Sequence, residues 1–275
     1  MLKSYFFIPG NHKKLHKKLA AIKADILIVD LEDSISESEL DVILENLAQV
    51  KNKRDIFLRP KLFNTSNPTE DLLVKLIDLG FTNFLIPKYK GIDDIRVIEN
   101  ALGSRINSFF KFILLIENPE ALFSLMETVR MTTLNIVGLA FGSQDYCLAS
   151  GMAHKYELLK FPRFMISGIA KSFKLTCIDI ACMELEKKDT FIYELEEAEL
   201  MGYDAKFIIH PDQLDILANY KKYSNKEIQE ANAVMNKYIK LGSPAVFVYN
   251  GKAIEPPHIE NYSRIIKYAK EYGSK

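Results

Sequence analysis

Short apolar runs alternate along the chain with amphipathic stretches in which apolar residues recur at helical spacing. Each run has the length of a β-strand, and most runs contain the β-branched or aromatic residues that favour strands. The pattern predicts eight strands, in the segments 4–9, 25–30, 55–60, 83–88, 111–117, 135–141, 175–180 and 205–210. Alternation of this kind is typical of parallel strands that are joined by helices.

The spacing of the strand ends favours a closed barrel. Asp30, Arg59, Lys88 and Glu117 follow one another at intervals of 29 residues, the length of one strand plus one helix. Eight such units need roughly 250 residues, which is the size of a (β/α)₈ barrel. An open doubly wound sheet is the alternative, but it usually has fewer strands and a glycine-rich phosphate loop, where this chain has only Gly10. We therefore predict an α/β fold, a (β/α)₈ TIM barrel.

The end of the chain exceeds what an eight-fold barrel needs. We predict a barrel over residues 1–220 and a C-terminal extension over residues 221–275. The extension is expected to contain a helix from Ser224 to Leu241, a hairpin that turns at Asn250–Gly251, and a last helix that starts at Pro256. We expect it to cover the mouth of its own barrel or of a neighbouring subunit's barrel.

Composition narrows the possible partners. The chain has 36 Lys plus Arg and 36 Asp plus Glu, so no net field attracts it to nucleic acid or membranes. Its three cysteines, Cys147, Cys177 and Cys182, have no metal-ligand spacing and cannot all pair in disulfides, which favours a reducing compartment. No signal peptide is recognisable, and no apolar run approaches the roughly 20 residues that cross a bilayer. We expect a soluble, cytoplasmic protein that recognises small molecules.

Charged residues gather at the predicted strand ends. In TIM barrels, catalytic groups lie at the carboxyl ends of the strands and in the loops that follow. These positions hold Asp30, Glu32, Asp33, Arg59, Lys88, Glu117, Asp145, Asp179 and His210. Polar residues resume at the end of any strand, so one or two charges indicate nothing. Several carboxylates together with an Arg and a Lys at one rim indicate a site.

The rim residues suit a divalent cation and a keto acid. Glu117 and Asp145 are hard oxygen donors for Mg²⁺ or Mn²⁺, and two carboxylates leave coordination positions for water and a chelating substrate. Gly142 and Ser143 precede Asp145, and their small size lets the backbone approach a ligand closely. Arg59 offers a planar fork for a carboxylate. A metal ion beside an arginine can stabilise a 2-keto acid and its developing oxyanion.

The two predicted metal ligands also have structural alternatives. Glu117 could instead form a salt bridge to Arg59 or Lys88 across the rim. Asp145 could instead be the N-cap of the helix after its strand, which is a common role for Asp. The pattern alone leaves both alternatives open.

The other charged rim residues have less specific roles. Asp30, Glu32 and Asp33 could cap the next helix or orient the water molecules on a metal ion, and we favour the second role. Lys88 is expected to bind substrate or to act only as a counter-charge at the rim. His210, which precedes a proline, is as well explained by structure as by function.

The segment 11–22 is amphipathic, with Leu15, Leu19 and Ile22 on one face of a predicted helix. Four lysines, Lys13, Lys14, Lys17 and Lys18, lie on the other face. A solvated helix face is the usual meaning of this pattern. The alternative is a phosphate-binding surface near the barrel mouth.

The chain resembles the citrate lyase β-subunit-like family (the HpcH/HpaI aldolase/citrate lyase family), part of the phosphoenolpyruvate/pyruvate superfamily of TIM barrels. The resemblance runs almost end to end, and the order and spacing of its motifs make it specific. The motifs are "KSYFFIPGN", "ADILIVDLEDSI", "FLRP", "LIPK", "LLIENPEAL", "VGLAFGSQDY", "MGYDAKFIIHPDQ" and "VYNGKAIEPPHIENY".

The resemblance implies an activity and an assembly. Members of the family cleave or form a carbon–carbon bond between an acyl thioester and a 2-keto acid with the help of Mg²⁺, on citryl, malyl or citramalyl thioesters. By position, Glu117 and Asp145 would be the metal ligands and Arg59 the carboxylate-binding arginine. Members associate as trimers or larger rings, in which a C-terminal segment brings an acidic acid/base residue to a neighbour's site. In this chain that position is Glu255.

The chain departs from the family pattern at a few positions. Glu255 and Pro256 stand where Asp and Arg are usual, and a Glu carboxylate reaches one methylene farther than an Asp carboxylate. Lys3 replaces an arginine, Ala205 replaces a glycine, and Gln144 stands where an acidic residue is frequent. The departures concern the acid/base and thioester end, while the metal and keto-acid positions match.

The leading hypothesis is a Mg²⁺-dependent lyase that cleaves a 3-hydroxyacyl thioester of coenzyme A, or of a carrier protein, to a 2-keto acid and an acyl thioester. A second hypothesis is an aldolase for free 2-keto acids, which needs the metal site but no phosphate-binding surface. A third is a non-catalytic or regulatory barrel subunit that binds a keto acid or a partner, which the altered segment around Glu255 suggests.

Overall fold

The computed structural model describes residues 1–53, 55–63, 69–105 and 107–272. Eight parallel strands form a closed barrel in sequence order, and β8 pairs with β1 to close it. The strands are β1 (Lys3–Pro9), β2 (Ile26–Leu31), β3 (Ile56–Pro60), β4 (Asn83–Ile86), β5 (Lys111–Ile116), β6 (Ile136–Phe141), β7 (Thr176–Asp179) and β8 (Ala205–Ile208). The predicted TIM barrel is confirmed, and each strand overlaps its predicted segment, with β1 and β2 extending one residue beyond theirs.

Two apolar layers hold the barrel together, because successive side chains of a strand point to opposite faces of the sheet. The interior is filled by residues such as Tyr5, Ile28, Phe57, Leu85, Ile113, Ile178 and Phe207. The alternate residues, such as Val29 and Leu58, pack outward against the surrounding helices in a larger core. Both faces of each strand are therefore covered, which explains why the strands are continuous apolar runs.

Helices follow the strands around the outside of the barrel. They are α1 (Leu15–Ala21), α2 (Leu40–Ala48), α3 (Thr69–Asp78), α4 (Ile92–Leu102), α5 (Pro119–Met131), α6 (Ser143–Ser150), α7 (Lys160–Ser172), α8 (Lys188–Leu200) and α9 (Pro211–Asn219). Short 3₁₀ segments occur at Glu37–Glu39, Gly103–Arg105 and Tyr156–Leu159.

Local sequence signals explain where several helices begin and end. α5 and α9 each begin with a proline, and the side chains of Asn118 and His210 cap them by accepting from the backbone N–H of Ala121 and Asp212. Gly80 and Gly202 follow α3 and α8 with φ of 87° and 82°, as the left-handed end of a helix requires. His210 therefore has the structural role that was one of its two interpretations.

The chain forms two compact units, Met1–Tyr220 and Lys221–Lys275. The second unit contains α10 (Asn225–Lys240), a hairpin of β9 (Phe247–Tyr249) and β10 (Lys252–Ile254), and α11 (Pro256–Tyr272). Ser224 and Glu227 form a capping box at the start of α10. The hairpin turns at Asn250 and Gly251, which both have positive φ. Each predicted element of the extension is present.

The structure corrects two expectations. α1 begins only at Leu15, because residues 10–14 form the turn that leaves β1, so the helix is shorter than the segment 11–22. Asp179 does not face the rim with the other charges. It points outward from β7, fully buried, where Arg163 Nε and Lys206 Nζ donate hydrogen bonds to it over 2.9 and 3.0 Å.

Asp179 belongs to a buried ion network between the sheet and the helices. Lys206 on β8 also donates a hydrogen bond to Glu194 on α8 over 2.8 Å, and Arg163 lies on α7. Two acids and two bases neutralise one another there, which is the condition for keeping charges away from water. The network joins β7 and β8 to their covering helices.

Among the described residues, no helix has both the length and the apolar character needed to cross a membrane.

Candidate active site

Charged side chains meet at the carboxyl ends of β2 to β5. The register of the barrel pairs Asp30 on β2 directly with Arg59 on β3. Residues that lie 29 positions apart in the sequence, such as these two, are therefore neighbours in the barrel, because one strand and one helix separate adjacent strands. We call Asp30, Glu32, Asp33, Glu117 and Asp145 the acid cluster.

Arg59 lies among these acids. Its Nε donates a hydrogen bond to Asp30 Oδ1 over 2.7 Å, and its Nη2 donates to Asp33 Oδ2 over 3.3 Å. Its Nη1 lies 3.4 Å from Glu32 Oε2 and 3.8 Å from Glu117 Oε1. Although burial lowers the pKa of Arg59, the hydrogen bond to Asp30 and the surrounding carboxylates raise it overall, so the guanidinium stays charged.

Lys88 contacts the acid cluster through its side chain and through its backbone. Its Nζ lies 2.9 Å from Asp33 Oδ1 and 3.2 Å from Glu32 Oε1. Its backbone N–H donates a hydrogen bond to Glu117 Oε2 over 2.8 Å. The residue has φ of 51°, a left-handed conformation that costs free energy outside glycine and that tends to persist at functional sites.

Glu117 follows β5 and is only 3% exposed. Burial raises its pKa to about 8, and the nearby Glu32 carboxylate adds to the rise, while Arg59 opposes it. Burial likewise raises the pKa of Glu32 to about 7. Both carboxyl groups are therefore held where their negative charge is costly, and positive charge nearby lowers that cost.

Gly142 makes room for Glu117. A Cβ atom at position 142 would lie 2.4 Å from Glu117 Cγ and 2.9 Å from Glu117 Oε1, closer than real contacts allow. We predicted a close approach of this backbone to a ligand, and the neighbour that requires the glycine in the structure is the Glu117 side chain.

Asp145 lies in the first turn of α6, whose N-cap is Gly142. The alternative interpretation of Asp145 as the N-cap of this helix is therefore wrong. Its charge acts on both Glu117 and Lys88, raising the pKa of each. The carboxylate is thus available to the same cavity as Glu117.

A cavity of about 300 Å³ opens at this end of the barrel. Its polar lining consists of Asp30, Asp33, Arg59, Glu117, Ser143, Gln144 and Asp145. Its apolar lining consists of Phe7, Pro9, Leu115, Phe141, Ala181, Met183, Phe207 and Ile209, with Gly142 beside them. Sequence reasoning identified most of the charged residues that line the cavity but did not predict the apolar ones. The alternation of inward- and outward-facing side chains at the ends of β7, β8 and β1 was the signal that could have identified them.

The donor set fits a divalent cation. The acid cluster holds five carboxyl groups, whereas Arg59 and Lys88 supply two positive charges. Among the described residues, the buried Glu32 Oε2 has no hydrogen-bond partner, and the nitrogen of its ion pair, Arg59 Nη1, lies 3.4 Å away. Within the described residues, no three His, Cys, Asp or Glu side chains converge as a complete ligand set. Carboxylate oxygens are the ligands that Mg²⁺ prefers, and Mg²⁺ binds through one or two carboxylates while it keeps several water ligands.

Three predicted site residues, Lys88, Glu32 and Glu255, are not among the described residues that line the cavity. Glu32 is buried behind it, paired with Lys88 and Arg59. Glu255 belongs to the second unit, exposed at the start of α11, where its backbone N–H donates to His258 Nδ1 over 3.1 Å. His154, which sequence reasoning did not consider, lies 3.0 Å from the Ser143 hydroxyl through Nε2.

A family model agrees with this geometry. The model described as HpcH/HpaI aldolase/citrate lyase matches residues 3–211, which span the whole barrel. The chain belongs to this family. The family prediction is confirmed, and with it the prediction of a lyase-type enzyme.

Known proteins resemble the chain over nearly its full length. The mitochondrial citramalyl-CoA lyase of Mus musculus is 21% identical over 290 residues, covering 97% of this chain and 86% of that protein. The citrate lyase subunit beta of Escherichia coli K12 is 25% identical, covering 98% of this chain and 94% of that protein. Among solved structures, the CitE protein of Mycobacterium tuberculosis in complex with magnesium, acetoacetate and coenzyme A superposes with a TM-score of 0.82 at 19% identity, covering 98% of both chains.

Proposed function

We propose that this protein is a Mg²⁺-dependent carbon–carbon lyase that cleaves a 3-hydroxyacyl thioester of coenzyme A to a 2-keto acid and an acyl-CoA, reversibly. The observation that carries the proposal is the convergence of Glu117, Asp145 and Arg59 on one cavity at the carboxyl end of the barrel. Relatives that are named for citrate and citramalyl-CoA cleavage, and a structural neighbour with bound magnesium and coenzyme A, support it.

Glu117 and Asp145 would hold the cation, with Mn²⁺ as a possible substitute for Mg²⁺. When bound, the cation supplies Lewis acidity to the carboxylate and the adjacent oxygen of the keto-acid portion. The backbone N–H of Lys88 directs one oxygen of Glu117, and Gly142 leaves that side chain its space. Asp30, Glu32 and Asp33 hold the cationic groups and orient the surrounding water.

Arg59 would receive the substrate carboxylate at the cavity. Its guanidinium keeps its charge because the surrounding acids stabilise it, so it can also stabilise the oxyanion that develops during cleavage. In the proposed step a base removes the hydroxyl proton, the carbonyl of the keto acid forms, and the carbon–carbon bond breaks. The electron pair of that bond leaves with the thioester as an enolate, which is then protonated.

Glu255 would supply that proton from a neighbouring subunit. The residue lies in the unit Lys221–Lys275, which we propose covers the active site of the next barrel in a homotrimer or larger ring. Lys88 was expected to bind substrate, but its Nζ is held by Glu32 and Asp33, so we assign it the organisation of the acid cluster instead.

The test is to incubate the purified protein and Mg²⁺ with citryl-, malyl- and citramalyl-CoA and to measure release of the keto acid. Release with at least one ester is expected, together with loss of activity in chelator. Cleavage of free hydroxy keto acids but of no thioester would support the aldolase hypothesis. Keto-acid binding without any cleavage would support a non-catalytic subunit.

A further inference from the structure

The cavity has a charged side and an apolar side on different strands. The strands follow one another in order around the barrel. The charged residues come from β2, β3 and the segments after β5 and β6, whereas β7, β8, β1 and their following loops contribute apolar side chains. We call this second set the apolar wall: Phe7, Ala181, Met183, Phe207 and Ile209.

The apolar wall is packed and begins beside Arg59. The rings of Phe7 and Phe207 are 4.9 Å apart at their centroids, and Phe207 is 3% exposed. The guanidinium carbon of Arg59 lies 5.2 Å from the centroid of the Phe7 ring. If a keto acid binds with its carboxylate at Arg59 and at the cation that Glu117 and Asp145 would hold, the substituent on its keto carbon lies next to this wall.

We propose, on the basis of the proposed function, that the keto acid carries a small uncharged substituent of the methyl class, as in pyruvate, and that the wall rejects a second carboxylate. The wall supplies van der Waals contact to a methyl group. It has no polar side chain that could bind a charged group in place of water.

The charges around the cavity support this selection. Among the described residues that line it, Arg59 is the only cation, and Asp30 already holds its Nε. The Nζ of Lys88 forms ion pairs with Glu32 and Asp33, and the charge of Lys61 interacts with that of Asp33. Both lysines therefore belong to the β3–β4 side of the barrel, which lies across from β7 and β8. Residues 64–68, which the structure does not describe, contain no Lys or Arg in their sequence.

A second carboxylate on the wall would therefore lose water without gaining a partner, in the field of an acid cluster that outnumbers its cations. Such a group is expected to lower affinity by about 100-fold or more. Replacing the methyl group by hydrogen loses only apolar contact, which amounts to about fourfold. The expected order of affinity is pyruvate, then glyoxylate, then oxaloacetate.

Binding calorimetry on the full-length protein with Mg²⁺ tests this order without turnover. Pyruvate binding at least about 100-fold more tightly than freshly prepared oxaloacetate is the expected result. Comparable or tighter binding of oxaloacetate, or binding of none of the three acids, would overturn the inference. Pyruvate binding with no cleavage of any thioester would refute the proposed lyase but leave the substituent preference standing.

Two variants test whether the wall itself makes the selection. Met183→Arg and Ile209→Lys each add a cation to the wall, and Met183 is 54% exposed, so its substitution is compatible with folding. Each is expected to narrow the ratio of pyruvate to oxaloacetate affinity by about tenfold, since an ion pair replaces an unpaired charge. Met131→Arg, at a residue of α5 that is 50% exposed and outside the cavity, is the matched control and should keep the wild-type ratio. An unchanged ratio in both wall variants would overturn the assignment of the wall.

Discussion

The backbone N–H of Lys88 donates a hydrogen bond to Glu117 Oε2 over 2.8 Å from a left-handed conformation with φ of 51°. The contact couples a strained residue at the end of β4 to the buried carboxylate after β5. The Lys88 side chain is bound to Glu32 and Asp33, so the surrounding acids maintain a conformation that the residue would otherwise avoid.

Two substitutions of Lys88 distinguish the effect of backbone strain at this position from the effect of losing the side-chain charge. Lys88→Gly keeps the N–H and adopts positive φ without strain, whereas Lys88→Val places a β-branched side chain at positive φ. Lys88→Val is expected to unfold in urea with a free energy about 1 kcal/mol or more below that of Lys88→Gly. It should also bind Mn²⁺ more weakly in calorimetry, since the anchor of Glu117 is displaced. Equal stability of the two variants would show that the conformation is not strained.

Gly142→Ala is expected to weaken metal binding by about tenfold or more, because the added Cβ would displace the Glu117 side chain from its position. Electron paramagnetic resonance of bound Mn²⁺ measures this loss directly. The matched control is Gly168→Ala in α7, where an added Cβ meets no atom of the described residues within 4 Å. That control should bind Mn²⁺ normally and gain about 0.5–1 kcal/mol of stability from helix propensity. Wild-type affinity in Gly142→Ala would remove the assigned role of the glycine.

The stability of the metal-free protein should fall as pH rises from about 4.5 to 8. Burial raises the pKa of Glu117 from 4.5 to about 8, and that of Glu32 to about 7. The folded state therefore holds these protons more tightly than the unfolded state. This contribution is fully present below the unfolded pKa and is lost as pH rises through the folded pKa values.

Thermal unfolding in chelator across this pH range measures the decline. Mg²⁺ should raise the melting temperature more at pH 8 than at pH 5, because it replaces the protons. In Glu117→Gln the melting temperature should fall less between these pH values, because the amide does not titrate. A metal-free profile that rises over this window would contradict the assignment.

Glu255→Gln is expected to lower kcat by about 10²–10⁴ while leaving the metal affinity unchanged, because a general acid–base group is removed without touching the metal ligands. The rate of hydroxyacyl-CoA cleavage measures the first effect, and Mn²⁺ calorimetry measures the second.

Mixed oligomers test whether Glu255 acts in a neighbour's site. Glu255→Gln and Glu117→Gln subunits, each inactive alone, should recover activity when they are refolded or co-expressed together. The recovered sites combine an intact Glu117 from one subunit with an intact Glu255 from the next. Mixtures that stay inactive would show that each chain supplies both groups to its own site.

The buried network around Lys206 should be a large contributor to stability. Lys206→Met leaves Asp179 and Glu194 without their shared cation in a buried site, and is expected to cost about 3–5 kcal/mol in urea unfolding. Lys171→Met breaks an exposed pair with Asp204, for which about 1 kcal/mol or less is expected. Similar costs for the two variants would contradict the buried character of the network.

Much of the fold was predictable because local chemistry and global architecture agree. Continuous apolar runs are fully buried only when both faces of the strand are covered by other apolar residues. Capping residues such as Asn118 and Gly202 mark the ends of helices to within a few residues. The interval between Asp30 and Arg59 then placed them side by side, since parallel strands in sequence order bring equivalent positions together. The family motifs confirmed the same arrangement.

The sequence by itself determined the order of strands and helices, the family, and which charged residues end neighbouring strands, because these depend on periodicity and spacing along the chain. Only the tertiary structure decided which face each strand-end residue takes. Asp179 comes one residue after the inward-facing Ile178 and therefore points outward to Arg163. Glu117 comes two residues after the inward-facing Leu115 and therefore reaches the cavity. It also decided that Gly142 makes space for the Glu117 side chain and that Phe7 of the apolar wall packs against Arg59, because both are contacts between residues far apart in the sequence.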